Sequence, residues 1–191
     1  MQTKGRRLTL LLVVLTLCIG VFAFTGPEAA QRGRKGTGLI PLTETERATM
    51  IYLREEEKLA RDVYIKMYES WGATIFSNIS VSEQRHMDAV LQLLVKYGIP
   101  DPAAGCSVGE FTDADLQKLY DDLIFKGQQS LLDAYIVGRI IEETDIYDLE
   151  VAIYETEKVD LDKVYSQLLL GSRNHLGAFN SHIESLTQGD R

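Results

Sequence analysis

The chain of 191 residues carries two cysteines, four prolines, one tryptophan and three histidines. Each scarcity excludes something. The cysteines are Cys18 and Cys106, and Cys18 lies in an N-terminal apolar run. Once that run is removed, Cys106 stands alone and no intrachain disulfide is available. Stability must then come from a buried core, which about 150 residues can supply. So few prolines permit long helices. Basic residues are short over most of the chain. The first 35 residues hold six Lys/Arg and one Glu, so of the chain's 20 basic and 28 acidic residues, 14 and 27 remain from Gly36 onward, a net charge of −13. A surface that negative argues against nucleic acid as a partner. The same field favours cations.

Lys4, Arg6 and Arg7 precede an apolar run from Leu8 to Phe24. This is the layout of a secretory signal, with Val21-Phe22-Ala23 as a small-residue cleavage site, or of an uncleaved membrane anchor over residues 1–25. Leu15-Thr16-Leu17-Cys18 departs from a lipoprotein box at the bulky Leu17. Either layout places the folded part outside the cytoplasmic membrane, secreted or tethered. Residues 26–41 are polar, basic and Gly-rich and read as a tether, leaving one domain over 42–187.

Within that domain the hydrophobic pattern predicts helices. Thr43-Glu44-Thr45-Glu46 fits a capping box, and an apolar stripe from Met50 to Met67 runs on to Trp71 and Gly72. A second helix is expected from Ser77 or Ser80 to Tyr97, closed by Gly98. Ile99-Pro100-Asp101-Pro102 ends this pair, and a crossover with a short helix near Asp113–Phe125 leads to a third long helix over about 129–157. The fourth runs from about Asp160 to Leu186. The fold class is all-α, a four-helix bundle with an extra short helix between helices 2 and 3.

Polar residues interrupt these stripes at midspan. Glu55-Glu56-Glu57 sweeps some 200° of helix, so not all three can face outward. Glu57 shares a face with Ala60 and Tyr64 and is the inward one. Glu83 and His86, three apart, share one face of helix 2. Ser80-x-x-Glu83 also reads as a capping box, in which Glu83 would only satisfy a helix-start N–H. Glu142 and Asp145 border the buried face of helix 3, with Gly138 a turn earlier for close helix approach. His175 sits in the stripe of helix 4, while His182 lies about 10 Å further along, too far to share its ligands. Glu precedes His by 29 residues in the first half and by 33 in the second. Single buried histidines are commonly just hydrogen-bonded core residues. A whole set of unpaired polar groups at one level costs several kcal/mol each unless something compensates, and a metal would.

Glu57 with Ala60 and Tyr64, Glu83-x-x-His86, Glu142 and His175 together resemble the ferritin-like superfamily of di-iron carboxylate proteins, closest to its rubrerythrin branch. They also resemble a ferritin-like family known as a domain of unknown function. The likeness covers about Leu42–Leu186. It implies metal ligands at Glu57, Glu83, His86, Glu142, His175 and Asp145, with Glu142 bridging two Fe ions, or Mn as the alternative. Tyr64, Ser172 and Glu143 are expected beside the ligands rather than among them. Ser172 stands where the superfamily carries a further Glu, so the position near His175 is expected to be the weaker one. The implied function is that of a redox protein, an oxidase or peroxidase type of oxidoreductase using dioxygen or peroxide, possible as a homodimer. Two other readings fit the residues: a non-catalytic extracytoplasmic metal binder, and a metal-free helical interaction module.

Overall fold

A computed structural model describes residues 41–189. The expected signal or anchor and all but the last residue of the expected tether lie outside the described residues. The described residues form five helices and no strand. In order they are α1 (Glu44–Trp71), α2 (Thr74–Tyr97), α3 (Ala114–Gly127), α4 (Leu131–Glu155) and α5 (Val159–Gly189). No helix among the described residues is long and apolar enough to cross a membrane.

Local chemistry sets most of the helix ends. Thr43 and Glu46 form the capping box, with Glu46 N donating to Thr43 Oγ1 at 3.1 Å and Thr43 N donating to Glu46 Oε2 at 2.8 Å. The other Glu46 oxygen accepts from Thr156 Oγ1, which ties the start of α1 to the end of α4. Gly72 and Gly98 stop α1 and α2 in the left-handed conformation, at φ 65° and 67°. The Ser80–Glu83 capping box is corrected. α2 begins at Thr74, Ser80 Oγ donates to Ser77 O, and Glu83 sits well inside the helix. With its capping role removed, Glu83 is free to point into the core.

The long helices pack as two pairs, α1 along α2 and α4 along α5, and the pairs meet through α1–α4 and α2–α5 contacts. α3 rests on α4 and α1. Two apolar clusters fill the interior. One joins the first half of α1 (Met50, Leu53) to the end of α2 (Leu93, Leu94), the end of α4 (Leu149) and the start of α5 (Leu161, Leu168). The other joins the second half of α1 (Val63, Met67) to the start of α2 (Phe76), the start of α4 (Ala134, Val137) and Phe179 of α5. In every long helix the candidate polar residues fall between these two clusters. At Gly138 the Phe179 ring lies where a Cβ would have to go, so only glycine lets α5 come this close to α4.

The charged run Arg54-Glu55-Glu56-Glu57-Lys58 is buried throughout. Its members outside the centre hold the crossover. Arg54 donates twice to Asp101, at 3.0 and 2.9 Å. Glu55 accepts from Thr112 N and Thr112 Oγ1, at 2.5 and 2.6 Å, just before α3 starts. Lys58 donates to Ser107 O at 2.7 Å and pairs with Asp62, which also accepts from Gly109 N. A helix face that reads as solvated charge is therefore a clamp on the loop between α2 and α3.

This clamp makes stability pH-dependent. Burial would raise the Asp101 carboxyl, but the Arg54 guanidinium and the Ala103 N–H outweigh it and hold it below its ordinary value. A depressed carboxylate contributes stability above its unfolded pKa and loses it as pH falls through the folded one. Asp101→Asn should therefore cost about 1–2 kcal/mol near neutral pH, in the range of a partly screened charged hydrogen bond. The gap to wild type should close as pH drops below about 4. Urea unfolding at several pH values measures it, and a gap that does not change with pH would show that the Arg54 pair contributes nothing.

Candidate metal centre

Between the two apolar clusters, four helices bring their polar residues to one place. α1 supplies Glu57, α2 supplies Glu83 and His86, α4 supplies Glu142 and Asp145, and α5 supplies Ser172 and His175. Glu57, Glu83 and Glu142 are each 1 % exposed and Ser172 fully buried. Groups of this kind are kept from water only when something else compensates them.

They resolve into two sets of three: Glu57, Glu83 and His86, and Glu83, Glu142 and His175. Within each set one ligand atom from every residue lies within 4.8 Å of the others. Glu83 belongs to both. Its Oε2 is 2.8 Å from His86 Nδ1 and its Oε1 is 2.8 Å from His175 Nδ1. Bridging was expected of Glu142, whereas the residue common to both sets is Glu83, because α2 carries His86 itself and packs against α5, which carries His175. Glu57 Oε2 closes the first set at 3.2 Å from His86 Nδ1, and Glu142 Oε2 the second at 3.5 Å from His175 Nδ1. The two imidazole rings stand 5.6 Å apart.

Several of these atoms have no hydrogen-bond partner: Glu57 Oε1, Glu83 Oε1, His175 Nδ1 and Asp145 Oδ1. Glu83 Oε1 and His175 Nδ1 are near enough to bond but not aligned for it. Buried polar atoms left without a partner leave room for a water or an ion to complete them.

Neighbouring side chains orient the set. Tyr64 O–H donates to Glu142 Oε1 at 2.5 Å, which leaves Oε2 turned to His175. Ser172 Oγ donates to Asp145 Oδ2, leaving Oδ1 free. Asp145 thus sits against the cluster, held from the position where a further Glu was expected, without joining either set. Glu143 is exposed and faces Arg139 at 3.9 Å, away from the cluster. His182 packs on Tyr135, also outside it. Gly171 lies directly over His86, and a Cβ there would come within 2.5 Å of Nε2.

The electrostatics are those of a site short of positive charge. Burial would raise Glu83, but His175 and His86 outweigh it and hold it at about 2. Burial would lower the histidines, but the carboxylates raise His86 to about 11 and His175 to about 9. Glu57 and Glu142 are both pushed up to about 7, by burial and by the Glu83 charge, against the pull of the histidines. Burial and the charges of Glu57 and Glu142 push Asp145 up as well. In this state protons supply the charge that a cation would supply.

One participant escaped sequence reading. Glu56 is buried with Oε2 unpartnered, beside Asp145 and Asp148. The steric limit on an acidic triplet singles out Glu57 without deciding the side of Glu56. The i, i+3, i+4 spacing of Glu56, Leu59 and Ala60, which puts all three on one face, was the available signal.

The Gly171 contact is open to a double-mutant test. Gly171→Ala should cost about 1–3 kcal/mol in urea unfolding, as overpacking does. In a His86→Ala background the same change should cost almost nothing. An equal cost in both backgrounds would place the strain elsewhere than on the imidazole.

Comparison with known proteins places the chain. It is similar to the uncharacterized protein MJ0754 of Methanocaldococcus jannaschii, at 50 % identity over 139 residues, 73 % of this chain and 75 % of the relative. It is likewise similar to the crystal structure of the hypothetical protein MJ0754 from Methanococcus jannaschii, with a TM-score of 0.77 and 46 % identity, covering 80 % of this chain and 87 % of that one. Residues 46–190 match the model of the uncharacterized protein domain DUF2202, and with both candidate ligand sets inside that span the chain belongs to the DUF2202 family.

Proposed function

We propose that the protein is a ferritin-like metalloprotein in which α1, α2, α4 and α5 form a four-helix bundle and α3 is the extra helix of its crossover. Its centre holds two iron ions, or manganese, and works with dioxygen or peroxide as a redox site. The observation that carries this reading is Glu83, whose two oxygens each face a different histidine within a buried cluster that holds unpartnered ligand atoms. The donors fit the group. Carboxylate oxygens with one imidazole per ion suit Fe and Mn, and three of the unpartnered atoms, Glu57 Oε1, Glu83 Oε1 and His175 Nδ1, belong to the two sets.

Glu57 and His86 would hold one ion, Glu142 and His175 the other, and Glu83 both. Tyr64 fixes the Glu142 carboxylate by one oxygen so that the other stays directed inward. Ser172 fixes Asp145 in the same manner. Gly171 leaves room for the His86 ring. The apolar clusters on either side keep water from the carboxylates, which strengthens their hold on a cation. When bound, a pair of such ions supplies electrons to an oxidant while the flexible carboxylate ligands adjust to the change in charge. The reading of an extracytoplasmic site rests on the N-terminal basic and apolar segments alone.

Metal content and Mn(II) titration calorimetry test the assignment. Wild type should take up two ions, Glu57→Gln and Glu142→Gln one each, and Glu83→Gln none. At a hundredfold excess over Kd, metal should raise the melting temperature by about 5–10 °C. His86→Ala should lose most of that rise. Metal-free protein, or a chelator effect equal in wild type and His86→Ala, would overturn the centre. Ser172, in place of a further carboxylate, favours a second reading, a binder that holds metal without turnover. Repeated consumption of peroxide by the Fe(II)-loaded protein in stopped flow would dismiss it.

A further inference from the structure

A cleft opens between α1, α3 and α4 and ends beside the metal centre. Its volume is about 30 Å³. Thr144 and Leu119 stand at the mouth, both exposed to solvent. Leu116, Leu123 and Ile141, each 5 % exposed or less, form the walls. Glu56 and Asp145 form the floor, each 5 % exposed. The lining thus grades from exposed rim to buried floor, and between Thr144 at the mouth and the carboxylates of the floor it is aliphatic.

The floor adjoins the candidate ligands at Asp145, which lines the cleft, lies a turn from Glu142 on the same buried face and feels the charges of Glu57, Glu142 and Glu83. The floor also carries two unpartnered oxygens, Glu56 Oε2 and Asp145 Oδ1. They mark where the aliphatic passage meets the polar centre.

We propose that this cleft is a binding site and passage for a gas-sized apolar molecule, dioxygen, next to the carboxylates of the centre. The proposal rests on the metal reading above for its purpose, though not for the binding itself. Three features select the ligand. The space holds about two or three small heavy atoms, since one water needs 10–15 Å³. An organic substrate of ordinary size fills several hundred Å³ and does not fit. Aliphatic walls offer no hydrogen bond to an ion or to a strongly hydrated molecule, which would leave its own polar groups unpaired on the way in. Small apolar cavities of this kind take up xenon and similar gases. α3 gains a role from this: it supplies Leu116, Leu119 and Leu123, three of the aliphatic side chains, so the crossover helix builds the passage.

Xenon is the probe. Crystals of the metal-free protein under xenon pressure should show a xenon atom among Leu116, Leu123 and Ile141. Leu119→Trp, a change at the rim, should fill the mouth and remove it. In Fe(II)-loaded protein mixed with dissolved dioxygen, Leu119→Trp should slow oxidation at least tenfold, while the Mn(II) titration stays as in wild type. Unchanged Mn(II) uptake confirms that the variant is folded, and Ile140→Trp provides a second obstruction of the same cleft. No xenon in the cleft overturns the proposal, whatever metal the protein binds. Xenon in the cleft together with unchanged oxidation rates in both variants also overturns it, since the passage then leads nowhere useful. Xenon bound in a protein that takes up no metal keeps the gas site and removes the metal reading, so the two fail separately.

Discussion

Everything in the interior is arranged around one carboxylate. Glu83 lies at the middle of α2 between two imidazoles, one on its own helix and one on α5. A carboxylate at that depth stays ionised only where opposite charge or hydrogen bonds offset its burial, and here an imidazole lies on either side. That condition fixes the height at which α5 must present His175 and the turn of α2 that carries His86. Glu57 and Glu142 then close the two flanks from α1 and α4. The cluster is a single electrostatic unit, and moving any one helix along its axis by a turn would leave several buried charges without partners.

The apolar packing serves that unit. The two hydrophobic clusters lie on either side of the polar layer in each long helix, so the helices are pinned above and below it. Glycines appear where a ring must sit against a backbone, Gly138 under Phe179 and Gly171 over His86. The charged run on α1 divides its labour by direction around the helix. Glu57 points to the centre, Arg54, Glu55 and Lys58 grip the crossover, and Glu56 reaches the floor of the cleft beside α3. The crossover clamp and the centre therefore share one helix turn. Local opening of the loop between α2 and α3 would loosen the helix that carries Glu57, which couples loop dynamics to the site.

The sequence by itself determined the helices and much of the site. Low proline, stripes at helical spacing, the Thr43–Glu46 capping box and glycine stops need only local rules, so they were legible. The inward set of Glu57, Glu83, His86, Glu142 and His175 was also legible, because each shares a face with apolar neighbours on its own helix. The start of α2 was not. Its N-terminus has no side-chain cap, and a plausible Ser80 box lay six residues downstream of the true beginning.

Tertiary structure alone decided how those helices met. Which carboxylate stands between the histidines depends on which helix packs against which, and helix periodicity carries no information about neighbours. It gave the position to Glu83 rather than Glu142. The burial of Glu55 and Lys58 followed from the crossover folding back over α1, and that of Glu56 from α4 packing beside it, events tens of residues away in the chain. Glu143 and Glu142 are adjacent in sequence and opposite in fate, since about 100° of helix rotation separates a core side chain from a solvated one. Local rules tell which face a residue occupies; only packing tells what that face meets.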